Sequence, residues 1–295
     1  MKAYTFRAPA KVNLALRVVG RADNGYHLLK TVMTFFPWFD ELTIEPTSAP
    51  EIELTCHPVN PAPKEQNLVY RAAIDLQQAG GYGGGARMHL LKRIPAGAGL
   101  GGGSSDAATA LLGLNRLWGL DLPLEKLLQI GVSLGADVPI FLGGVAALAE
   151  GIGEKLSPLP ELTSADLVVI HPGVHLSTQA VFQSHSGQLT NPSLPLNMPK
   201  LEDGWEGLGG LLNNDLEPAA KKLAPVIDEA IGSLIDAGAR FTLMSGSGSS
   251  VFGVFPDPQA ARQAAGQLGS SHPGWQVVAG RTLNSHPFES EWMAI

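Results

Sequence analysis

The chain has 295 residues, a formal net charge of −7, 44% hydrophobic and only 16% charged residues, which excludes a disordered protein and, at roughly 150 residues per domain, predicts two domains or one large one. The acidic balance, with no local cluster of lysine and arginine, removes the basic footprint that nucleic-acid binding requires. A single cysteine, Cys56, rules out an intramolecular disulfide and any cysteine-rich zinc site, and the lack of an apolar leader or long apolar run predicts no membrane span and a cytoplasmic protein.

The chain opens as a β-rich layer over residues 1–54, with short strands expected at 11–19, 32–36 and 41–45 and a turn at Asp23-Asn24-Gly25. In the first strand Val12, Leu14 and Leu16 face one way, and Lys11, Asn13 and Ala15 the other. Residues 67–79 have helical spacing and 86–94 read as a strand. A glycine-rich stretch follows, then a helix over 104–118 with Ala107, Ala108, Leu111, Leu112 and Leu114 at helical intervals. A second amphipathic helix spans 124–134 and ends at Gly135, before apolar strands at 140–142 and 145–149. Pro158 and Pro160 mark the boundary between domains 1–160 and 161–295. Beyond it, strands are expected at 167–170, 240–244, 251–255 and 275–279, and helices at 223–237 and 259–268. The polar, proline-rich stretch 185–204 reads as a surface loop.

The densest chemical signal lies between a strand and a helix start: Pro95, Ala96, Gly97, Ala98, Gly99, Leu100, Gly101, Gly102, Gly103, Ser104 and Ser105. Glycines let a backbone adopt positive φ and approach a ligand closely, while the helix N-terminus offers free N–H groups and a positive dipole end to a phosphate. Ser104 or Ser105 is placed to cap the helix or to offer a hydroxyl to phosphate or metal. The run matches Gly-x-Gly-x-x-Gly, but the acid at the expected distance, Asp121, falls between two helical patterns rather than at a strand end. It also has Walker-loop spacing, yet Gly103 stands where the lysine belongs, so phosphate must be held by backbone amides and a cation from elsewhere.

With Asp106-Ala107-Ala108, this loop closely resembles the nucleotide loop of the GHMP kinases. The start, Ala8-Pro-Ala-Lys-Val-Asn-Leu14, resembles the first motif of that family, and Gly246-Ser-Gly-Ser-Ser250 its third. Further matches are Gly25-Tyr26-His27, Gly135-Ala-Asp-Val-Pro139 and Asn214-Asp-Leu-Glu-Pro218, the last with no role assigned. The resemblance implies an α+β two-domain kinase, with an N-terminal domain like domain 2 of ribosomal protein S5 and a ferredoxin-like C-terminal domain. It implies ATP-dependent phosphorylation of a small-molecule alcohol, the 2-hydroxyl of a methylerythritol unit carrying a cytidyl head. Asp137 is then the catalytic base and Lys11 its cationic partner, and residues 95–105 hold ATP. Asn13, Tyr26, His27, Thr178 and Phe182 contact the substrate, with Tyr26 and His27 on the cytidine and Phe182 as the opposing ring. His171 and His175 are four apart but enclose Pro172 and Gly173, so no helix brings them to one face. No protein-held metal is expected; Mg2+ arrives with ATP, bound by phosphates and water.

Overall fold

The computed structural model describes residues 2–23, 25–58, 63–185, 189–191, 206–207 and 209–293. Asn24 and most of the expected loop 185–204 lie outside the described residues. The chain begins with two long antiparallel strands, β1 (Tyr4–Arg21) and β2 (His27–Thr47), followed by β3 (Ile52–His57), α1 (Leu68–Gly80) and β4 (Gly85–Leu91). After the glycine loop come α2 (Gly102–Leu117), α3 (Leu124–Leu134), the short α4 (Val138–Gly143), β5 (Ala147–Gly151) and β6 (Lys155–Pro158). These strands make one sheet in the order β3-β4-β2-β1, with β5 pairing the first part of β2 and β6 pairing β5. Its core joins Phe6, Phe35 and Ile44 of the sheet to Val69 and Leu76 of α1, Leu111 of α2 and Phe141 of α4.

The second half contributes β7 (Asp166–His171), α5 (Thr178–Ser184), β8 (Asn213–Asn214), α6 (Glu217–Leu223), α7 (Val226–Asp236), β9 (Phe241–Met244), β10 (Val251–Phe255), α8 (Pro258–Ser271), β11 (Gln276–Arg281) and α9 (Phe288–Met293). Strand β8 joins the first sheet beside β1, while β11-β7-β10-β9 form an antiparallel sheet in the order of a ferredoxin-like βαββαβ unit. The two sheets share an apolar layer in which Val12, Leu14 and Trp38 meet Leu167, Val169, Phe252 and Val254. The fold is therefore the expected α+β architecture, with a ferredoxin-like sheet in the second half and β8 of that half added to the first sheet. No helix of the described residues is long and apolar enough to cross a membrane.

Several local expectations are corrected. The strands expected at 32–36 and 41–45 are one strand, because a register shift opposite Pro9/Ala10 absorbs Pro37, which has no N–H for the ladder. Residues 140–142 are helix α4 rather than strand, with Pro139 in its first turn and Gly144 (φ 72°) closing it. The helix expected over 223–237 breaks after Leu223 and restarts at Val226 behind Pro225. In β1, the register slips between Asn13 and Ala15, leaving Leu14 as the extra residue of a bulge. The slip reverses the alternation, so Leu16 faces the same cleft as Lys11 and Asn13, and Ala15 joins Val12 and Leu14 in the apolar layer.

His286 follows β11 and lies edge-on to Phe35 and Phe141, with ring centroids 5.8 and 6.5 Å away; its Nδ1 accepts from the Phe288 N–H at 3.1 Å. Burial pushes its pKa down to about 3, so the native state keeps it neutral. The unfolded chain binds a proton near pH 6.5 and the native state does not, so stability falls as pH drops from 6.5 towards 3. This residue alone should lower the unfolding free energy by about 2 kcal/mol between pH 7 and pH 5. Urea titrations of wild type and His286→Asn at both pH values test this: equal losses in the two proteins would contradict it.

Candidate active site

A cleft of about 1010 Å³ is lined from both halves of the chain. Every residue assigned from the sequence to catalysis, ATP or substrate lines it except Leu100 and Ser105, which are fully buried. Lys11, on the bulged part of β1, is itself buried, and its Nζ lies 3.5 Å from Asp137 Oδ2 and donates to Asn13 Oδ1 at 2.6 Å. Asn13 in turn donates from Nδ2 to Thr31 Oγ1 at 2.8 Å, and that hydroxyl donates to the Ala15 carbonyl at 2.6 Å. A desolvated ammonium needs such partners. Asp137, in the turn ahead of α4, keeps its side chain 38% exposed to the cleft. The carboxylate is thus reachable by a ligand hydroxyl, while the cation beside it is fixed.

Helix α2 begins at Gly102, with Gly101 (φ 68°) as N-cap and no side chain capping it. Ser104 and Ser105 lie inside the first turn, so neither is the expected cap. Ser104 lines the cleft, whereas Ser105 Oγ is buried with no hydrogen-bond partner among the described residues. With no side-chain cap, the first-turn N–H groups remain available to an anion. The loop is gripped from both halves: Lys11 N–H donates to the Leu100 carbonyl at 2.9 Å, Ser250 N–H to that of Ala98 at 3.1 Å, and Ser245 Oγ to that of Gly99 at 2.9 Å.

Sequence reasoning missed the anchor behind this loop. Lys92 pairs with both Asp40 and Asp106, the latter at 2.7 Å, while Asp40 Oδ1 accepts from the N–H groups of Arg93 and Ile94 at 2.5 and 2.8 Å. The cluster ties the strand entering the loop to the helix leaving it. Burial drives the Asp106 carboxyl up to about 8 against the pull of Lys92; Lys92 is itself raised, because its two carboxylates outweigh its own desolvation. With two carboxylates on one ammonium, a proton is retained near neutral pH. Lys92 and Asp106 flank the loop in sequence, a signal that could have found them; nothing in the sequence points to Asp40.

At the far end, Tyr26 is 64% exposed, and His27 stacks on Phe182 with ring centroids 4.7 Å apart and planes at 23°. The ring facing Phe182 is therefore that of His27, while Tyr26 is exposed at the cleft. Burial first, then Arg21 and His185, lowers the His27 pKa and favours a neutral ring. Thr178 Oγ1 lies 2.9 Å from Ser247 Oγ, which belongs to the third glycine-rich segment. His171 and His175 do not converge on an ion: His171 Nδ1 faces Ser249 and Ser250, and His175 Nδ1 approaches the Ala96 carbonyl at 3.4 Å. Among the described residues, no three His, Cys, Asp or Glu side chains gather to hold a metal.

An uncapped glycine-loop helix facing a lysine–aspartate pair across one cleft defines a small-molecule kinase. The sequence matches the family models described as GHMP kinases N terminal domain, over residues 67–145, and GHMP kinases C terminal, over residues 198–273; the chain belongs to the GHMP kinase family. It is 44% identical over 283 residues to a 4-diphosphocytidyl-2-C-methyl-D-erythritol kinase of Geobacter sp. (strain M21), covering 96% of this chain and 100% of the relative. A crystal structure of 4-(cytidine 5'-diphospho)-2C-methyl-D-erythritol kinase superposes with a TM-score of 0.82 at 40% identity, covering 94% of this chain and 98% of that one. Homoserine kinase from Cytophaga hutchinsonii shares the fold, with a TM-score of 0.74 at 19% identity over 97% of this chain and 96% of its own.

Proposed function

We propose that the protein transfers the γ-phosphoryl group of ATP to the 2-hydroxyl of 4-diphosphocytidyl-2-C-methyl-D-erythritol, giving the 2-phosphate and ADP in non-mevalonate isoprenoid biosynthesis. The observation that carries this reading is the convergence in one cleft of Lys11 and Asp137, the uncapped start of α2, and the exposed ring of Tyr26 beside His27 and Phe182. Asp137 accepts the hydroxyl proton as the oxygen attacks the γ-phosphorus; the bridging bond to the β-phosphate breaks and ADP leaves. Lys11, 3.5 Å from Asp137 Oδ2, orients that carboxylate and stabilises charge spreading over the transferring group. Asn13 orients Lys11 through its amide oxygen.

Residues 95–105 hold the triphosphate, chiefly through the first-turn N–H groups of α2 that no side chain caps. Tyr26, His27, Thr178 and Phe182 hold the cytidine head, the exposed Tyr26 ring stacking on the base. Mg2+ would arrive with ATP, bound by phosphates and water, with the Ser104 hydroxyl as the hard oxygen donor nearest the loop in the cleft lining. When bound, that ion neutralises phosphate charge. In this reading the nucleotide loop belongs to domain 1–160, domain 161–295 closes the cleft, and the enzyme works in the cytoplasm.

The test is ADP formation with the cytidyl substrate, mevalonate, homoserine and galactose assayed in parallel. Only the first should be turned over. Preferential turnover of another alcohol would overturn the substrate assignment, and binding without ADP release would overturn the kinase assignment.

A further inference from the structure

We propose that Asn214 is a positioning residue of the phosphoryl-transfer site, holding the turn between β9 and β10 against the strand that carries Lys11 and Asn13. The inference rests on the kinase reading above. Strand β8, which contains Asn214, pairs in parallel with β1 at Ala15 and Leu16, immediately past Asn13. The Asn214 side chain, only 5% of the residue being exposed, reaches the other sheet: Nδ2 donates to the carbonyls of Met244 and Gly246, both at 2.8 Å, and Oδ1 accepts from the Leu216 N–H at 2.9 Å. One residue thus joins the two halves of the cleft, by backbone on one side and side chain on the other. Its neighbours reinforce the join, Glu217 Oε2 accepting from Met244 N–H at 2.9 Å and Asp215 Oδ2 from Val18 N–H at 2.8 Å. The amide uses both of its donors and its acceptor; an aspartate would set carboxylate oxygens against two carbonyls.

The turn that Asn214 grips touches the reacting groups. Ser245 Oγ donates to the Gly99 carbonyl at 2.9 Å and accepts from the Asn13 N–H at 3.2 Å. Gly246 and Ser247 line the cleft, and a Cβ added to Gly246 would lie 3.0 Å from the Gly99 oxygen and 3.3 Å from Asn13 Oδ1. Asn13 Oδ1 is the acceptor that holds Lys11 Nζ. Releasing the turn therefore loosens Asn13 and Lys11 beside the acceptor alcohol. The nucleotide loop keeps two further ties, from Lys11 N–H to Leu100 and from Ser250 N–H to Ala98.

The experiment compares kcat, both KM values and thermal midpoints for full-length wild type, Asn214→Ala, Asn214→Asp, Ser245→Ala and the Asn214→Ala/Ser245→Ala double variant. Asn214→Ala should lower kcat by roughly 10- to 100-fold, the scale of a sub-ångström to ångström misplacement. The KM for the cytidyl substrate should rise and that for ATP stay within about threefold, a split that loss of folded enzyme would not produce. Asn214→Asp should do no better, and Ser245→Ala should reproduce most of the loss. Because both act through one turn, the double variant should be little worse than the poorer single. Near-normal kcat in folded Asn214→Ala, or losses that multiply in the double variant, would overturn the proposal. If neither Asn214 variant folds, Ser245→Ala decides: unchanged kcat and substrate KM overturn it, and loss of both supports it. Absence of wild-type turnover would instead overturn the kinase reading and this role with it.

Discussion

Replacing Asp137 by asparagine should lower kcat by roughly 10²- to 10⁴-fold, the usual worth of a positioned general base, and leave ATP affinity almost unchanged. The two side chains have nearly the same shape, but the amide has no basic oxygen to take the proton of the attacking hydroxyl. In the proposed reading the nucleotide contacts lie on residues 95–105, whose backbone hydrogen-bonds to Lys11 N–H, Ser250 N–H and Ser245 Oγ and not to the Asp137 side chain. Stability should change little, because Asp137 is more than a third exposed and water already screens its pairing with Lys11. Steady-state kinetics together with calorimetric ATP binding on the folded variant measure both halves of the expectation. A kcat close to wild type would remove Asp137 from the chemistry; a large loss of ATP affinity would move it to nucleotide binding.

The parts of the molecule that sequence reveals are those whose signal is local. Helix α3 occupies the span that its amphipathic spacing predicts, and β10 the span of its apolar run. The glycine loop was legible because its special residues are contiguous, and the motif resemblance placed Lys11 and Asp137 together although 126 positions separate them. The structure puts them 3.5 Å apart. What escaped depends on partners remote in sequence or on breaks in periodicity. A six-residue apolar element such as α4 is too short for a 3.6 period to declare itself. The bulge at Leu14 exists only because β2 opposes β1, so alternation read along β1 alone puts Leu16 and Ala15 on the wrong faces. Asp40 looks like an ordinary polar residue, and the motif match at Asn214 carries no role, until the chain brings Arg93, Ile94, Met244 and Gly246 to them.

The glycines of the loop separate into two kinds, and one pair of substitutions should tell them apart. Gly99 has φ 75°, and a Cβ there would lie 2.1 Å from the Ser245 carbonyl oxygen, a backbone atom with no rotamer to yield. Gly99→Ala therefore combines about 1–2 kcal/mol of left-handed backbone strain with a clash that forces the two halves of the cleft apart. Since displacement on the ångström scale costs roughly 10²-fold in rate, kcat/KM should fall by at least about that factor, and the thermal midpoint should drop as well. Gly103 differs on both counts. No positive φ applies to it, and the nearest atom to an added Cβ is Leu68 Cδ1 at 3.7 Å, an ordinary contact. It sits in the first turn of α2 and lines the cleft, so its open side faces the space assigned to phosphate. Gly103→Ala should keep or raise the thermal midpoint, because alanine is the better helix former, while raising the KM for ATP about tenfold or more by filling that space. Thermal unfolding and ATP kinetics on the two variants settle the division. A destabilised Gly103→Ala would mean that this glycine too serves the protein's own packing, and a stable variant with normal ATP kinetics would place the triphosphate elsewhere in the cleft.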